Sequence, residues 1–287
     1  MTPRGTTPAR VRVLDDDGDR TRDDLVATEE PLEIRVAAGG DVKTVATTMR
    51  TPGADFELAA GFLRTEGVVA DGRDIRRIEY CGDRTGDGAG DERFNTVTVH
   101  LAAAELPELS ALERYGMVSS ACGVCGKATV DSLHRPGVPR LAETGPTLDR
   151  EILFGLPEAL RAAQASFEAT GGLHGAGLFT PAGDVLVVRE DVGRHNAVDK
   201  AVGWAVLKGR RPLGGTVLVV SGRAGFEIVQ KAVAAGIPVV CAVSAPSSLA
   251  VDVAVEFGVT LVGFLRGRRA NVYAGGERLG AAVPAVP

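Results

Sequence analysis

Residues 215–263 alternate short apolar runs with helical segments, and this alternation restricts the fold more than any other feature of the sequence. Three apolar runs, TVLVVS, PVVCAVS and VTLVGF, are separated by the segments FEIVQKAVAAG and SSLAVDVAVEFG. Strands joined through helices lie parallel in one sheet, with right-handed crossovers. The sequence therefore predicts a βαβαβ unit and an α/β fold for the C-terminal half of the chain.

Polar, glycine-rich turns follow each of these three strands. They are SGRAG at 221–225, SAPSS at 244–248 and RGRR at 266–269. Ligands of open α/β sheets bind beyond the carboxyl ends of the strands, where helix N-termini and arginine both suit phosphate. The turns favour a phosphorylated or nucleotide-like ligand, although ordinary helix caps and tight turns have the same composition. Neither a P-loop nor a dinucleotide-binding glycine motif is present.

The preceding part of the chain, residues 26–140, predicts a smaller α+β unit. LEIRVAAGGDVKTVATTMR is typical of a β-hairpin that turns at Gly39, Gly40 and Asp41. TPGADFELAAGFLRTEG predicts a helix that begins at Thr51 and Pro52 and ends at Gly67. Two further strands are expected, one near Ile78 and the other in NTVTVHL.

Residues 1–25 are polar and show no periodicity, so we expect a flexible tail there and a second tail at 276–287. HRPGVPRLAETGPT is rich in proline and glycine and predicts a boundary before a C-terminal core at 141–275. LPEALRAAQASFEATGG begins that core as one long helix, which Gly171 and Gly172 end.

Composition excludes several classes of function. The net charge of −5 and pI near 5.5 argue against a general binder of nucleic acid or anionic membranes. No apolar run approaches the roughly 20 residues of a membrane span, and the N-terminal residues lack the apolar segment of a signal peptide. We therefore expect a cytoplasmic protein with no nucleic-acid or membrane partner.

Two polar stretches flank the predicted sheet and supply candidate ligand contacts. TGGLHGAGLF places His174 directly before a strand, and REDVGRHNAVDKAVGWAV places His195 and its polar neighbours around a helix start. A hydrogen-bonded core histidine and a capping-region residue are equally good interpretations of these histidines. The polar neighbours are Glu190, Asp191, Arg194, Asn196, Asp199 and Lys200. Of these, Asn196 could be the N-cap, and Asp199 and Lys200 a solvated face.

The segment SSACGVCGKA holds two cysteines, Cys122 and Cys125, in a stretch typical of a loop. A zinc site needs three or four ligands, and this pair supplies two. Cys81 and Cys241 are remote and lie in strand-like contexts, which favours buried apolar thiols. The zinc-deaminase signature is also missing, because Leu101 and Ala102 follow His100 where a His-x-Glu is required. We therefore expect no metal site.

Two other chemistries remain open for the cysteine pair. A thioredoxin-like reductase places such a pair at a helix N-terminus after a strand, which this context does not favour. A sulfur carrier needs an ionised thiol that accepts sulfur from a persulfide and passes it on, and Lys127 and nearby amides would favour ionisation. The residues permit this second chemistry without singling it out.

Six stretches together resemble one family. They are RTPGADFELAAGFLRTEG, SSACGVCGKA, TGGLHGAGL, EDVGRHNAVDKAVG, SGRAGFEIVQKA and SAPSSLAVDVAVEFGVTLVGF. In this order they are similar to the formate dehydrogenase accessory sulfurtransferase family, FdhD, over residues 31–273. Each motif alone is weak, and their combination is specific.

The resemblance implies a function and a fold. Family members take sulfur from a cysteine desulfurase as a persulfide. They transfer it to the molybdenum, or tungsten, bis-pterin guanine dinucleotide cofactor before that cofactor enters the formate dehydrogenase catalytic subunit. The implied fold is a three-layer, cytidine-deaminase-like α/β core without catalytic zinc, generally dimeric. A non-catalytic chaperone that binds and delivers the same cofactor is the alternative.

The same resemblance implies the roles of individual residues. Cys122 would carry the persulfide and Cys125 would be its partner. The other expected contacts lie around the strand ends and would hold the dinucleotide cofactor. They are Phe264, Leu265, Arg266, Gly267, Arg268, Arg269, Ser221, Gly222, Arg223, Ser244, His174 and His195.

Overall fold

A computed structural model describes residues 5–16, 18–81, 94–109, 141, 145–210 and 213–280. These residues form six α-helices and twelve β-strands, arranged in three sheets. The helices are α1 (Asp55–Thr65), α2 (Arg150–Ala162), α3 (Ala165–Thr170), α4 (Arg194–Leu207), α5 (Phe226–Ala235) and α6 (Ser248–Phe257).

The strands divide among a two-stranded, a four-stranded and a six-stranded sheet. The first sheet pairs β1 (Thr6–Asp15) with β2 (Gly18–Ala27). The second holds β3 (Glu30–Ala38), β4 (Asp41–Arg50), β5 (Ile75–Tyr80) and β6 (Thr96–Leu101). The third holds β7 (His174–Phe179), β8 (Val185–Asp191), β9 (Val217–Val220), β10 (Val239–Ala242), β11 (Thr260–Arg266) and β12 (Arg269–Ala274).

The six-stranded sheet has the order β12-β11-β10-β9-β7-β8. Strands β9, β10 and β11 are parallel, and helices α5 and α6 connect them. The other three strands run antiparallel to their neighbours. The predicted βαβαβ unit and the α/β class are therefore confirmed, whereas the likeness to cytidine deaminases stays a prediction.

Both faces of this sheet are covered by helices, so the central strands β9 and β10 are apolar throughout. Leu178, Val220 and Leu261 point into a core formed with α4, α5 and α6. Phe179 and Val219, which alternate with those residues, point into a second core with α2. The result is three layers, with the ends of the parallel strands left open for polar loops.

The four-stranded sheet has the order β4-β3-β6-β5 and packs on α1 through a core that includes Leu32, Ile34 and Leu58. The hairpin of β3 and β4 turns at the predicted residues. Helix α1 begins at Asp55, not at Thr51 as predicted. The Thr51 amide donates to the Asp191 carboxylate, and Ala54 adopts a left-handed conformation, so neither residue is helical.

Helices α1 and α4 join the two larger sheets. A Cβ atom at Gly61 would overlap the backbone at Asp199, and one at Gly203 would overlap the backbone at Glu57. The helices therefore touch backbone to backbone, which only glycine permits at these positions. The N-terminal sheet is held directly against the C-terminal core.

The prediction of a flexible tail at residues 1–25 is wrong where the chain forms β1 and β2. These two strands make an antiparallel ribbon that contacts α3. Arg10 and Arg12 alternate with valine on β1, and β2 is rich in arginine and aspartate, so the composition resembles a disordered segment. In the ribbon they meet across the strands, as Arg12 does with Asp19 and Arg20 with Asp15. Cross-strand pairs of opposite charge stabilise such a ribbon, and the sequence pattern alone does not reveal them.

The single helix predicted at 156–172 is in fact α2 and α3. Asp149 caps α2 by accepting a hydrogen bond from the Glu151 amide, so this helix starts earlier than predicted. The break comes after Ala162, and the Glu190 carboxylate accepts the amides at the start of α3. Gly171, with φ of 68°, ends α3 as predicted. No helix of the described residues is long and apolar enough to cross a bilayer.

Candidate strand-end anion site

The loops after β9, β10 and β11 are bonded to one another through their backbones. The Ala224 amide donates to the Ala245 carbonyl at 3.2 Å, and the Ser247 amide donates to the Ala224 carbonyl at 3.2 Å. The Phe264 amide donates to the Ser244 carbonyl at 3.1 Å. The three predicted turns therefore form one continuous edge at the carboxyl ends of the parallel strands.

The start of β7 meets the first of these turns. The Ser221 hydroxyl accepts the Gly175 amide at 2.8 Å, and the Ser221 amide donates to the Gly175 carbonyl at 2.9 Å. A Cβ atom at Gly222 would lie 3.2 Å from His174 Nδ1, so the imidazole covers this glycine. The structure thus brings together His174, Ser221 and Gly222.

Asp191, at the end of β8, organises the start of α4. Its carboxylate is completely buried and accepts the amides of Thr51 at 3.1 Å and Gly193 at 2.8 Å. The Asn196 side-chain amide donates to it at 3.1 Å, and Lys200 Nζ lies 2.6 Å from it. Four donors satisfy a buried carboxylate, so Asp191 is a structural group.

Most of the polar residues around α4 therefore hold the fold together. Gly193, not Asn196, is the N-cap of α4. Lys200 is 2% exposed and also donates to the Thr51 carbonyl at 2.8 Å. Asp199 contacts Thr65 of α1 and Lys231 of α5, each at 2.8 Å. Asp199 and Lys200 are buried, so the interpretation that they form a solvent-exposed face of the helix is wrong.

Arg194 and His195 lie at the start of α4, close to His174. His195 Nε2 lies 2.6 Å from Glu227 Oε2, and the side chains are 17% and 24% exposed. Contact with His195 lowers the pKa of Glu227. Burial, followed by the charges of Arg194 and His195, lowers the pKa of His174. His174 is therefore neutral at pH 7, and Glu227 is ionised.

The stretch after β11 combines buried and exposed residues. Phe264 has φ of 51°, which is unusual for a bulky residue, and is 39% exposed. Leu265 is completely buried against α2. Gly267 also has a positive φ, which turns the chain from β11 into β12.

The arginines of this region point in different directions. Arg266 Nε donates to the Val243 carbonyl at 2.9 Å, which holds it at the strand-end edge. Arg268 forms a bidentate ion pair with Glu151 at the start of α2. Arg269 lies opposite Arg266 in the backbone pairing of β11 with β12. Arg223 is exposed. Arg268 is therefore engaged by a carboxylate at the start of α2.

Cys122 and Cys125 lie outside the described residues. Cys241 is completely buried in β10, as expected, and burial raises the pKa of its thiol to about 12. Cys81 is half-buried, with Sγ 2.8 Å from the Thr98 hydroxyl. Among the residues that the structure describes, no three metal-ligating side chains are placed to hold an ion.

Two features of the described residues have no counterpart in the predictions. Glu227 follows the SGRAG turn, where an acid is ordinary at the start of a helix, so its contact with His195 had no sequence signal.

A cleft of about 1020 Å³ opens between β5 and the C-terminal ends of α4 and α5, at the amino ends of the parallel strands. Its rim carries Arg64, Arg73, Arg76 and Arg77.

Comparison with known proteins identifies relatives over nearly the whole chain. Residues 27–280 match the model of the FdhD/NarQ family. The sulfur carrier protein FdhD of Streptomyces avermitilis is 52% identical over 96% of both chains. The protein of the same name from Mycobacterium tuberculosis is 50% identical over 96% of this chain and 98% of its own.

A solved structure has the same fold. This crystal structure, assigned as a formate dehydrogenase accessory protein from Desulfotalea psychrophila, superimposes with a TM-score of 0.72 at 25% identity. The superposition covers 96% of this chain and 99% of that one.

Proposed function

Because the chain belongs to the FdhD/NarQ family, we propose that it is a sulfur carrier protein that serves formate dehydrogenase. The observation that carries the proposal is its identity of 50–52%, over nearly full length, to proteins named sulfur carrier protein FdhD. The proposed donor is a cysteine desulfurase. The proposed acceptor substrate is the molybdenum or tungsten bis-pterin guanine dinucleotide cofactor, before its insertion into the dehydrogenase. We place this activity in the cytoplasm and in a homodimer.

The proposed loading step conserves atoms and electrons. The Cys122 thiolate attacks the terminal sulfur of the desulfurase persulfide and forms a new S–S bond. The S–S bond of the donor breaks, and the desulfurase cysteine leaves as a thiolate. The step is a thiol–disulfide type exchange, so it requires an ionised attacking thiol and no net oxidation.

Delivery requires two electrons, because the terminal sulfur of a persulfide is more oxidised than sulfide. The Cys125 thiol attacks the inner sulfur of the Cys122 persulfide, which forms a Cys122–Cys125 disulfide and releases hydrogen sulfide. That sulfide replaces an oxygen ligand of the acceptor metal, and the oxygen leaves as water. A thiol reductant then restores the two cysteines for the next cycle.

The guanine dinucleotide part of the acceptor is proposed to lie along the strand-end edge. The joined backbones of the three loops support this, together with the neutral His174 imidazole and the cation of Arg266. Substitution of Arg266 or Arg268 by alanine is expected to weaken guanine-nucleotide binding. The full set of proposed contacts is Phe264, Leu265, Arg266, Gly267, Arg268, Arg269, Ser221, Gly222, Arg223, Ser244, His174 and His195.

Mass spectrometry after incubation with a cysteine desulfurase and L-cysteine tests the sulfur-carrier proposal. We expect a mass increase of one sulfur atom on the peptide that contains Cys122, and its loss in Cys122→Ala. Cys81→Ser is the matched control and should load normally, and buried Cys241 should carry no adduct. An absence of adduct at both Cys122 and Cys125 would contradict sulfur transfer, and retained GDP binding would then favour the non-catalytic chaperone.

A further inference from the structure

We propose that Arg194 binds a phosphate group of the guanine dinucleotide, and that Glu227 is a positioning residue that holds His195 beside it. This inference rests on the proposed function and identifies the part of the strand-end site that binds the anion. It moves the centre of phosphate recognition from the exposed arginines after β11 to the start of α4.

Arg194 has a buried donor without a partner in the described part of the chain. Its Nε is shielded from solvent and has no hydrogen-bond partner among the described residues. It also forms no ion pair with any other residue in the described ranges. A buried donor without an acceptor is costly, and a bound ligand would satisfy it. Guanidinium offers donors only, in a planar arrangement that matches phosphate oxygens.

The charges around Arg194 supply the second argument. Asp191 of β8 is already satisfied by four donors, one of them the cation of Lys200. On α5, Glu227 contacts His195, and Lys231 pairs with Asp199. Arg194 is therefore the cation of this cluster that remains without a carboxylate. Glu227 acts on Arg194 only through its charge, so the guanidinium keeps its donors free for an anion at the start of α4.

The contact between Glu227 and His195 determines which ring nitrogen is available. His195 Nε2 lies 2.6 Å from Glu227 Oε2 without the alignment of a hydrogen bond, and an ionised carboxylate at this distance favours a proton on Nε2. The other ring nitrogen, Nδ1, is then an acceptor and cannot donate to a phosphate oxygen, which leaves the phosphate contact to Arg194. Glu227 thus fixes the tautomer of His195 without touching the ligand.

His174 completes the cluster from β7. Burial and the charges of Arg194 and His195 lower its pKa, so it is neutral at pH 7. A neutral imidazole provides one donor and one acceptor and adds no charge that would compete with Arg194. It lies over Gly222, so it links the α4 cluster to the turn after β9.

Isothermal titration calorimetry with GDP tests the role of Arg194. Loss of a charge-assisted hydrogen bond is expected to weaken GDP binding about tenfold or more in Arg194→Ala. Arg73→Ala is the matched control, because Arg73 is exposed at the amino ends of the strands and pairs with Asp71. Its affinity for GDP should equal that of the wild type.

Pyrophosphate, which has no guanosine part, tests the phosphate contact directly. We expect Arg194→Ala to weaken pyrophosphate binding by a factor similar to that for GDP. Equal GDP affinities of wild type and Arg194→Ala would overturn the proposal, as would a wild-type protein that binds neither probe. Circular dichroism of each variant identifies loss of folding, and Arg194→Lys, which keeps the charge, should bind GDP better than Arg194→Ala.

The ¹⁵N NMR signals of the His195 ring test the role of Glu227. They are assigned by their absence in His195→Asn. We expect a proton on Nε2 in the wild type and in Glu227→Gln, which keeps an acceptor oxygen in place. In Glu227→Ala this preference should disappear. A wild-type ring protonated only on Nδ1 would contradict the assignment.

The two proposals fail separately. If Cys122 loads no sulfur while GDP binding still depends on Arg194, the sulfur-carrier function is wrong and the anion site stands. If Cys122 loads sulfur while Arg194→Ala binds GDP and pyrophosphate normally, the anion site is wrong and the sulfur carrier stands.

Discussion

Gly61 of α1 and Gly203 of α4 are packed so closely against the opposite helix that neither position has room for a Cβ atom. Through this contact the helix beneath the four-stranded sheet is fixed to the helix whose first turn carries Arg194 and His195. The geometry of the strand-end site therefore depends on an interface at the middle of α4.

Replacing Gly203 by alanine should destabilise the protein by about 1–3 kcal/mol or more, because the added methyl group forces the two helices apart. Urea denaturation measures the free energy of unfolding. Gly155→Ala is the control, since Gly155 lies inside α2 with open space around it and alanine favours helix by about 1 kcal/mol. Equal effects of the two substitutions would contradict the close approach.

Removing the buried charge of Asp191 should destabilise the fold far more than removing an exposed one. Asp191→Asn leaves Lys200 buried without its carboxylate, which is expected to cost about 3–5 kcal/mol. Glu151→Gln breaks the exposed pair with Arg268 and should lose far less stability, because solvent screens such a pair. Chemical denaturation of both variants makes the comparison, and similar losses would argue against the buried network.

His174 should titrate below the ordinary histidine pKa of about 6.5. Because the unfolded chain takes up the proton more readily, the free energy of unfolding should fall as pH drops through about 6.5. Above that pH both states are neutral at this site, so His174 contributes no pH dependence. NMR titration should show the pKa of His174 rising in Arg194→Gln. No change in that variant would contradict the proximity of the two side chains.

Phe264 and Leu265 are neighbours in sequence with opposite expected effects on stability. Phe264→Gly removes the strain of a positive φ and should stabilise the backbone by about 1 kcal/mol. Leu265→Ala deletes a completely buried side chain and should destabilise by about 2–5 kcal/mol. Thermal or urea unfolding separates them. A large loss of stability in Phe264→Gly would show that its side chain, not Leu265, anchors this turn.

The parallel part of the sheet that builds the site could be predicted from the sequence because its signals are local. Short apolar runs such as VTLVGF specify the strands. The crossover helices end at Gly236 and Gly258, which adopt the left-handed conformation, so their ends are also marked by single residues. The placement of the three polar turns then follows from topology, since parallel strands end on one edge. Ser221 was proposed as a ligand contact in this way, and His174 from the glycine-rich stretch before β7.

The roles of Asp191 and Arg268 could not be predicted, because their partners are distant in sequence. Asp191 binds the amide of Thr51, 140 positions earlier, and Arg268 pairs with Glu151, 117 positions earlier. Likewise, Gly61 and Gly203 look like ordinary small residues in helices until the two helices are brought together. Local patterns carry no information about such contacts.

The backbone bonds between the loops after β9, β10 and β11 have a consequence for how this edge can evolve. Ala224 is bonded through both its amide and its carbonyl to the second loop, and Ser244 is bonded to Phe264 of the third. An insertion or a change of turn type in one loop would displace the other two. Across homologues the three segments should therefore covary in length and conformation, and a graft that alters specificity must transplant them together.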